Sequence, residues 1–148
     1  MVLTTQQITE TDLADVSALF EQFAKTHNSE FKGDEASLKK YLFEEKISKC
    51  FVCKSNGKAV GFLLFTPMLA TFKSRPFIFI NSVYVAEEFR GSTAFLSLIS
   101  ALKKYAKIIN AVWIDGIISD DNPLKDSLSA LGRNKSKWHY VGRSLAAR

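Results

Sequence analysis

The strongest constraint on this chain is a change of hydrophobic period between residues 77 and 109. Residues 77–85, FIFINSVYV, are apolar, β-branched and aromatic, which predicts a buried strand. Residues 86–91 make a short loop. Beyond it, Phe95, Leu98, Ile99, Leu102, Ala106 and Ile109 fall at the offsets of one helical face. Between the two lies Arg90-Gly91-Ser92-Thr93. Its small residues leave room at the mouth of the helix, where unpaired N–H groups and the helix dipole favour an anion. Strand, small-residue turn and helix together have the layout of a phosphate cradle.

The remaining elements arrange themselves around that unit. Residues 2–8 alternate weakly and predict an edge strand. Thr9 and Asp12 have capping-box spacing for a helix whose inner side carries Leu13, Val16, Phe20, Phe23 and Ala24. A polar loop, 27–33, leads to Asp34, which can cap a second helix over 35–44 with Leu38 and Leu42 inward. Residues 49–54 read as a strand, Asn56-Gly57 as a hairpin turn, and 59–68 as an interior strand. Pro67 predicts a bend or a lost ladder partner near its end. Residues 111–119, AVWIDGIIS, predict a second interior strand, parallel to 77–85 because a helix joins them. Asn122-Pro123 starts a helix that stops at Gly132, and 135–145 predicts a closing strand. The order is β-α-α-β-β-β-α-β-α-β.

The chain has 148 residues, the size of one ordinary domain, with 47% hydrophobic and 24% charged residues. No apolar run reaches the roughly 18 to 20 residues that span a membrane, and the N-terminus has no signal-peptide pattern. Net charge is +5 with a pI near 9.2. That balance suits an anionic ligand, and without a nucleic-acid motif it makes nucleic acid an unlikely partner. Cys50 and Cys53 form a C-x-x-C, but their setting reads as strand and metal ligands are too few nearby, so no metal is expected. Two unpaired thiols fit a reducing, cytoplasmic setting.

The segment VYVAEEFRGSTAFLSLISALKKYAK resembles the acetyl-CoA-binding segment of the GNAT superfamily of N-acetyltransferases. That segment has a strand ending in hydrophobic-Tyr-Val, a Pro/Glu-rich link, then Arg-Gly-x-Gly-x-Gly or Ala and a helix. Val83-Tyr84-Val85, Phe89, Arg90 and Gly91 match it, while Thr93 and Phe95 stand at the later glycines. Many members also carry a Tyr four residues before the glycine that ends the C-terminal helix; here that position is Leu128. The resemblance extends over nearly the whole chain and implies one GNAT-like α/β (α+β) domain over 1–148. Its mixed sheet would have about six to seven strands, with helices on both faces.

The resemblance also implies a chemistry. Acetyl-CoA would be a co-substrate, its pantetheine arm pairing with the backbone of Val83, Tyr84 and Val85. Its pyrophosphate would rest on the N–H groups of Arg90, Gly91, Ser92, Thr93, Ala94 and Phe95, with Asn122 reaching the arm. Acetyl transfer to a primary amine, on a small molecule or a protein, needs a base for the amine and an acid for the departing thiolate. Asp115, a carboxylate in an apolar strand, is the candidate base if burial raises its pKa. Tyr140 is the candidate acid, with His139 beside it, and Asn81 is a candidate to hold the amine or a water. His27 and Glu30 lie in the loop that borders the acceptor pocket in this family. Direct attack in a ternary complex is the expected mechanism, and a homodimer is possible. The altered glycines and Leu128 leave open a second reading, a GNAT-fold protein that binds acyl-CoA or a partner without turnover.

Overall fold

The computed structural model describes residues 2–132 and 142–145. In chain order the elements are β1 (Leu3–Gln7), α1 (Leu13–Thr26), α2 (Glu35–Lys39), β2 (Lys49–Ser55), β3 (Lys58–Ala70), β4 (Arg75–Val85), α3 (Ala94–Ile108), β5 (Ile114–Gly116) and α4 (Lys125–Leu131). The strands form one mixed sheet in the order β1-β2-β3-β4-β5. β1 to β4 are antiparallel neighbours, and β5 pairs parallel with β4 after the α3 crossover. This is the expected mixed α/β architecture, with five strands among the described residues instead of six or seven. Most of the expected closing strand, 135–145, lies outside the described residues, and 142–145 are not in a strand.

Local chemistry sets the element ends. The Thr9 N–H and hydroxyl both donate to the Asp12 carboxylate, at 2.9 and 3.0 Å, closing the predicted capping box ahead of α1. Asp34 accepts from the Ser37 N–H at 2.8 Å and starts α2. The helix expected over 35–44 keeps α geometry only to Lys39, and its last turn widens until Glu45 N–H donates to Lys40 C=O at 2.8 Å. Asn56 and Gly57 both take positive φ, 51° and 79°, the geometry of a two-residue hairpin turn. Pro67 sits opposite Ile78, beyond the last β2–β3 pair at Phe65, so its missing N–H meets no strand on that side.

The sheet buries both faces. Against α3 pack Leu63, Phe65, Ile78, Val83 and Val85, with Leu98 and Leu102 from the helix. Against α1 pack Val52, Phe62 and Tyr84, with Val16 and Leu19 from the helix. Each fully buried aliphatic side chain here contributes about 1.5–3 kcal/mol. Cys50 belongs to the α1 side and Cys53 to the α3 side, so the C-x-x-C thiols point to opposite faces of β2. They cannot converge on one ion.

One expectation about β5 needs correction. β4 is next to the end of the described sheet, and β5 is its last strand. The interior strand expected over 111–119 shrinks to Ile114–Gly116, and all three of its residues are exposed. Trp113 and Ile117, on either side, are exposed as well. Their apolar character suggested burial, but only three residues pair with β4.

The reason pairing stops is visible in the register. Phe65 faces Ile80, while the next residue back, Leu64, faces Ser82. Asn81 is therefore the extra residue of a β-bulge, which bends the strand and sharpens its twist. β5 pairs with Ile78, Phe79 and Ile80 and goes no further. From Asn81 onward the two parallel strands part.

Candidate active site

The bulge also changes which way β4 presents its backbone. Ala86 N–H donates to Val60 C=O at 2.8 Å, so Tyr84 is in phase with the β3 ladder, and Val83 and Val85 face the opposite, open side. The side-chain partners confirm the direction. Asn122 Nδ2 donates to Val83 C=O at 3.2 Å, and Arg90 Nε donates to Val85 C=O at 3.0 Å. In a strand the N–H of a residue points the same way as its C=O. The Val83 and Val85 N–H groups thus face the gap between β4 and β5.

That gap opens into a cavity of about 710 Å³. Ile80, Asn81, Ser82 and Val83 form its β4 wall; Ile114, Asp115 and Gly116 of β5, with Ile117 just beyond, form the wall across from it. Ile99, Leu102 and Lys103 from α3, and Leu128 and Leu131 from α4, close another side. Phe23 and His27, at the end of α1, complete it. The lining is mainly apolar with a few convergent polar groups, the usual make-up of a small-molecule site.

The predicted site residues divide clearly. Asn81, Val83, Asp115, Asn122 and His27 come together on this cavity. Glu30 does not line it; it is exposed in the loop before α2. Tyr140 and His139 lie outside the described residues. Asp115 lines the cavity but is exposed, not the buried carboxylate that its apolar neighbours suggested. Asn81 is exposed too, and its Oδ1 accepts from the Thr66 hydroxyl at 2.9 Å, a fixed amide rather than a buried one. Asn122 is the buried one. Besides gripping Val83, its Oδ1 accepts from the Leu124 N–H at 2.9 Å, which locks the entry to α4.

The turn from β4 to α3 has the shape of an anion cradle despite its sequence. Gly91 has φ +83°, with nothing within 4 Å of an added Cβ. Thr93 has φ −81°, which any residue adopts, so this position needs no glycine. Phe95 packs its ring against the α3-side core. The Ser92 hydroxyl accepts from Ala94 N–H at 3.2 Å and donates to Phe89 C=O, which ties down the turn. Phe95 and Leu96 N–H, in the first turn of α3, have no intrahelical acceptor.

The Arg90 side chain takes another role. Its guanidinium lies over the Tyr84 ring, 5.3 Å from the centroid, and donates to the Tyr84 hydroxyl at 3.2 Å. With the bond to Val85 C=O, Arg90 braces the end of β4 and turns back from the loop mouth. Sequence reasoning missed this brace, although an Arg six residues after a strand Tyr is a visible pairing.

The fold and this site define an acyl-transferase architecture, with a parted parallel pair, an open strand edge and a helix N-terminus in line. The acetyltransferase (GNAT) family profile matches residues 16–123, and the chain belongs to that family, an N-acetyltransferase by class. It is 29% identical over 103 residues, 68% of each chain, to an uncharacterized N-acetyltransferase, YhfO, of Bacillus subtilis (strain 168). A ribosomal-protein-alanine N-acetyltransferase from Brucella melitensis biovar Abortus 2308 has the same fold, at TM-score 0.84 and 14% identity, over 97% of this chain and 100% of that one. An aminoglycoside acetyltransferase from an uncultured soil metagenomic sample superposes at TM-score 0.77 and 20% identity, over 97% and 99%.

Proposed function

We propose that this chain transfers acetyl from acetyl-CoA to a primary amine by direct attack in a ternary complex. The observation that carries the reading is the open edge of β4 beyond the Asn81 bulge, above a cavity of the right size. The pantetheine amides would pair with Val83 and Val85 as an added strand. The N–H of Val83 or Val85 would polarise the thioester carbonyl, where negative charge develops. The pyrophosphate would rest on the backbone from Arg90 to Phe95, at the positive end of α3. Asp115 supplies a negative charge on the opposite wall, suited to drawing in an ammonium. Tyr140 is proposed as the acid for the thiolate, since Leu128 in the cavity wall has no proton to give.

Burial pushes the Cys50 thiol up to about 12, so it stays protonated and is a poor nucleophile. Desolvation by burial raises Cys53 as well. Both observations favour direct attack over an acetyl-cysteine intermediate. The acceptor is an amine on either a small molecule or a protein; the two structural neighbours, named for a protein and an aminoglycoside, span that range.

Calorimetric titration of acetyl-CoA, followed by a thiol assay for released CoA against a panel of amines, tests this reading. Micromolar binding with amine-dependent thiol release supports it. Binding with every amine silent supports the alternative, a GNAT-fold acyl-CoA binder. Tyr140→Phe is expected to lower kcat about 10²-fold with acetyl-CoA affinity unchanged. Full activity in that variant removes Tyr140 from the mechanism.

A further inference from the structure

We infer that His27 is the general base that readies the acceptor amine. The inference rests on the acetyl-transfer reading above and assigns a role that the loop position of His27 did not suggest. His27 follows the last residue of α1, half-buried on the cavity wall. Its Nδ1 lies 3.0 Å from Phe23 C=O and 2.8 Å from the Thr26 hydroxyl. A carbonyl only accepts, so Nδ1 must carry the proton. The Thr26 hydroxyl spends its own hydrogen on the same carbonyl, at 2.7 Å, and so presents only a lone pair to the ring. For the neutral ring both partners select one tautomer, Nδ1–H donating, which leaves the lone pair on Nε2.

The ring is also held in place. It packs on Phe23 with centroids 4.6 Å apart, and Phe23 in turn touches Phe62 on β3 and Tyr84 on β4. A histidine whose Nδ1 is tied to the backbone and whose ring is wedged by an aromatic has one functional atom left. That atom is an acceptor with a lone pair, and His27 borders the same cavity as Asn81 and Val83. The arrangement is that of a general base and its orienting group. Asp115, on the facing wall, has a different task, to attract the cation.

The step balances as follows. The acceptor ammonium gives one proton to His27 Nε2, which releases it to solvent. The freed nitrogen lone pair forms the N–C bond at the thioester carbonyl. The C–S bond breaks, the second nitrogen proton leaves, and the thiolate ends as the free thiol of CoA. Amide, thiol and one solvent proton result.

The test is His27→Asn. The Asn amide nitrogen matches Nδ1 and keeps the bond to Phe23 C=O, while Nε2 disappears. Expected are unchanged acetyl-CoA affinity, a fall in kcat of about 10²–10⁴-fold, and partial rescue by added imidazole. Nitrogen-15 NMR of the parent protein is expected to show the Nδ1–H tautomer. An Nε2–H tautomer, or an active parent whose His27→Asn variant keeps its rate, overturns the assignment and leaves the transferase reading standing. A parent that turns over no amine removes both.

Discussion

At the scale of single residues, the most consequential pair lies outside the cavity. The Lys54 ammonium contacts the buried Asp12 carboxylate, which also accepts from Thr9. Burial pushes the Asp12 carboxyl up, but Lys54 and the two Thr9 donors together outweigh it, and the group ends below its usual range. A depressed folded-state pKa gives stability that is present above the unfolded value, about 3.9, and lost as pH falls through the folded one. Thermal melts should therefore hold steady on this account down to about pH 4 and decline below it. Asp12→Asn should flatten that acid limb and cost about 3 kcal/mol at neutral pH, because Lys54 would be left largely buried and unpaired. A variant as stable as the parent in urea would show that Lys54 finds water instead. Gly91 gives a second residue-scale expectation. An alanine there meets no clash, yet must hold φ +83°, at a cost of about 1–2 kcal/mol. Gly91→Ala should weaken acetyl-CoA binding by roughly tenfold if the chain avoids that cost by relaxing the turn. Unchanged affinity in calorimetry would mean the turn survives.

At the scale of elements, the strand–turn–helix unit was legible because each part follows a rule of period or chemistry. The run at 77–85 is strand-like, the face from Phe95 to Ile109 is helical, and both formed. Thr9, Asp34 and Asn56-Gly57 marked ends that the structure keeps. What the sequence concealed was geometry that a pattern does not encode. The bulge at Asn81 had a trace, two polar residues in succession where alternation allows one. β5 misled because AVWIDGIIS is apolar for reasons other than burial in the sheet: it lines a cavity and lies on the surface. Asp115 and His27 both line the cavity, but Asp115 is exposed where its apolar neighbours suggested burial. Asn122 is the element-scale joint, tying α4 to β4 through two hydrogen bonds made by one buried side chain. Asn122→Ala should cost about 1–3 kcal/mol in denaturant unfolding, because it orphans buried backbone groups. A loss under half a kcal/mol would mean water replaces the amide.

At the scale of the whole molecule, charge and topology act together. The chain carries +5, and CoA carries several phosphate charges, so binding should weaken as salt rises from about 50 to 500 mM. Affinity independent of salt would locate the binding energy in the apolar arm alone. Among the described residues no helix is long and apolar enough to cross a membrane. The parting of β4 from β5 has one more consequence, for the protein between turnovers. An unpaired strand edge is a template on which a stray chain can add itself and begin an aggregate. Here the edge lies at the bottom of a cleft, and its two outward carbonyls are already held, Val83 by Asn122 and Val85 by Arg90. Asn122 and Arg90 thus guard the open edge, and replacing either would free a carbonyl on which a stray strand could pair.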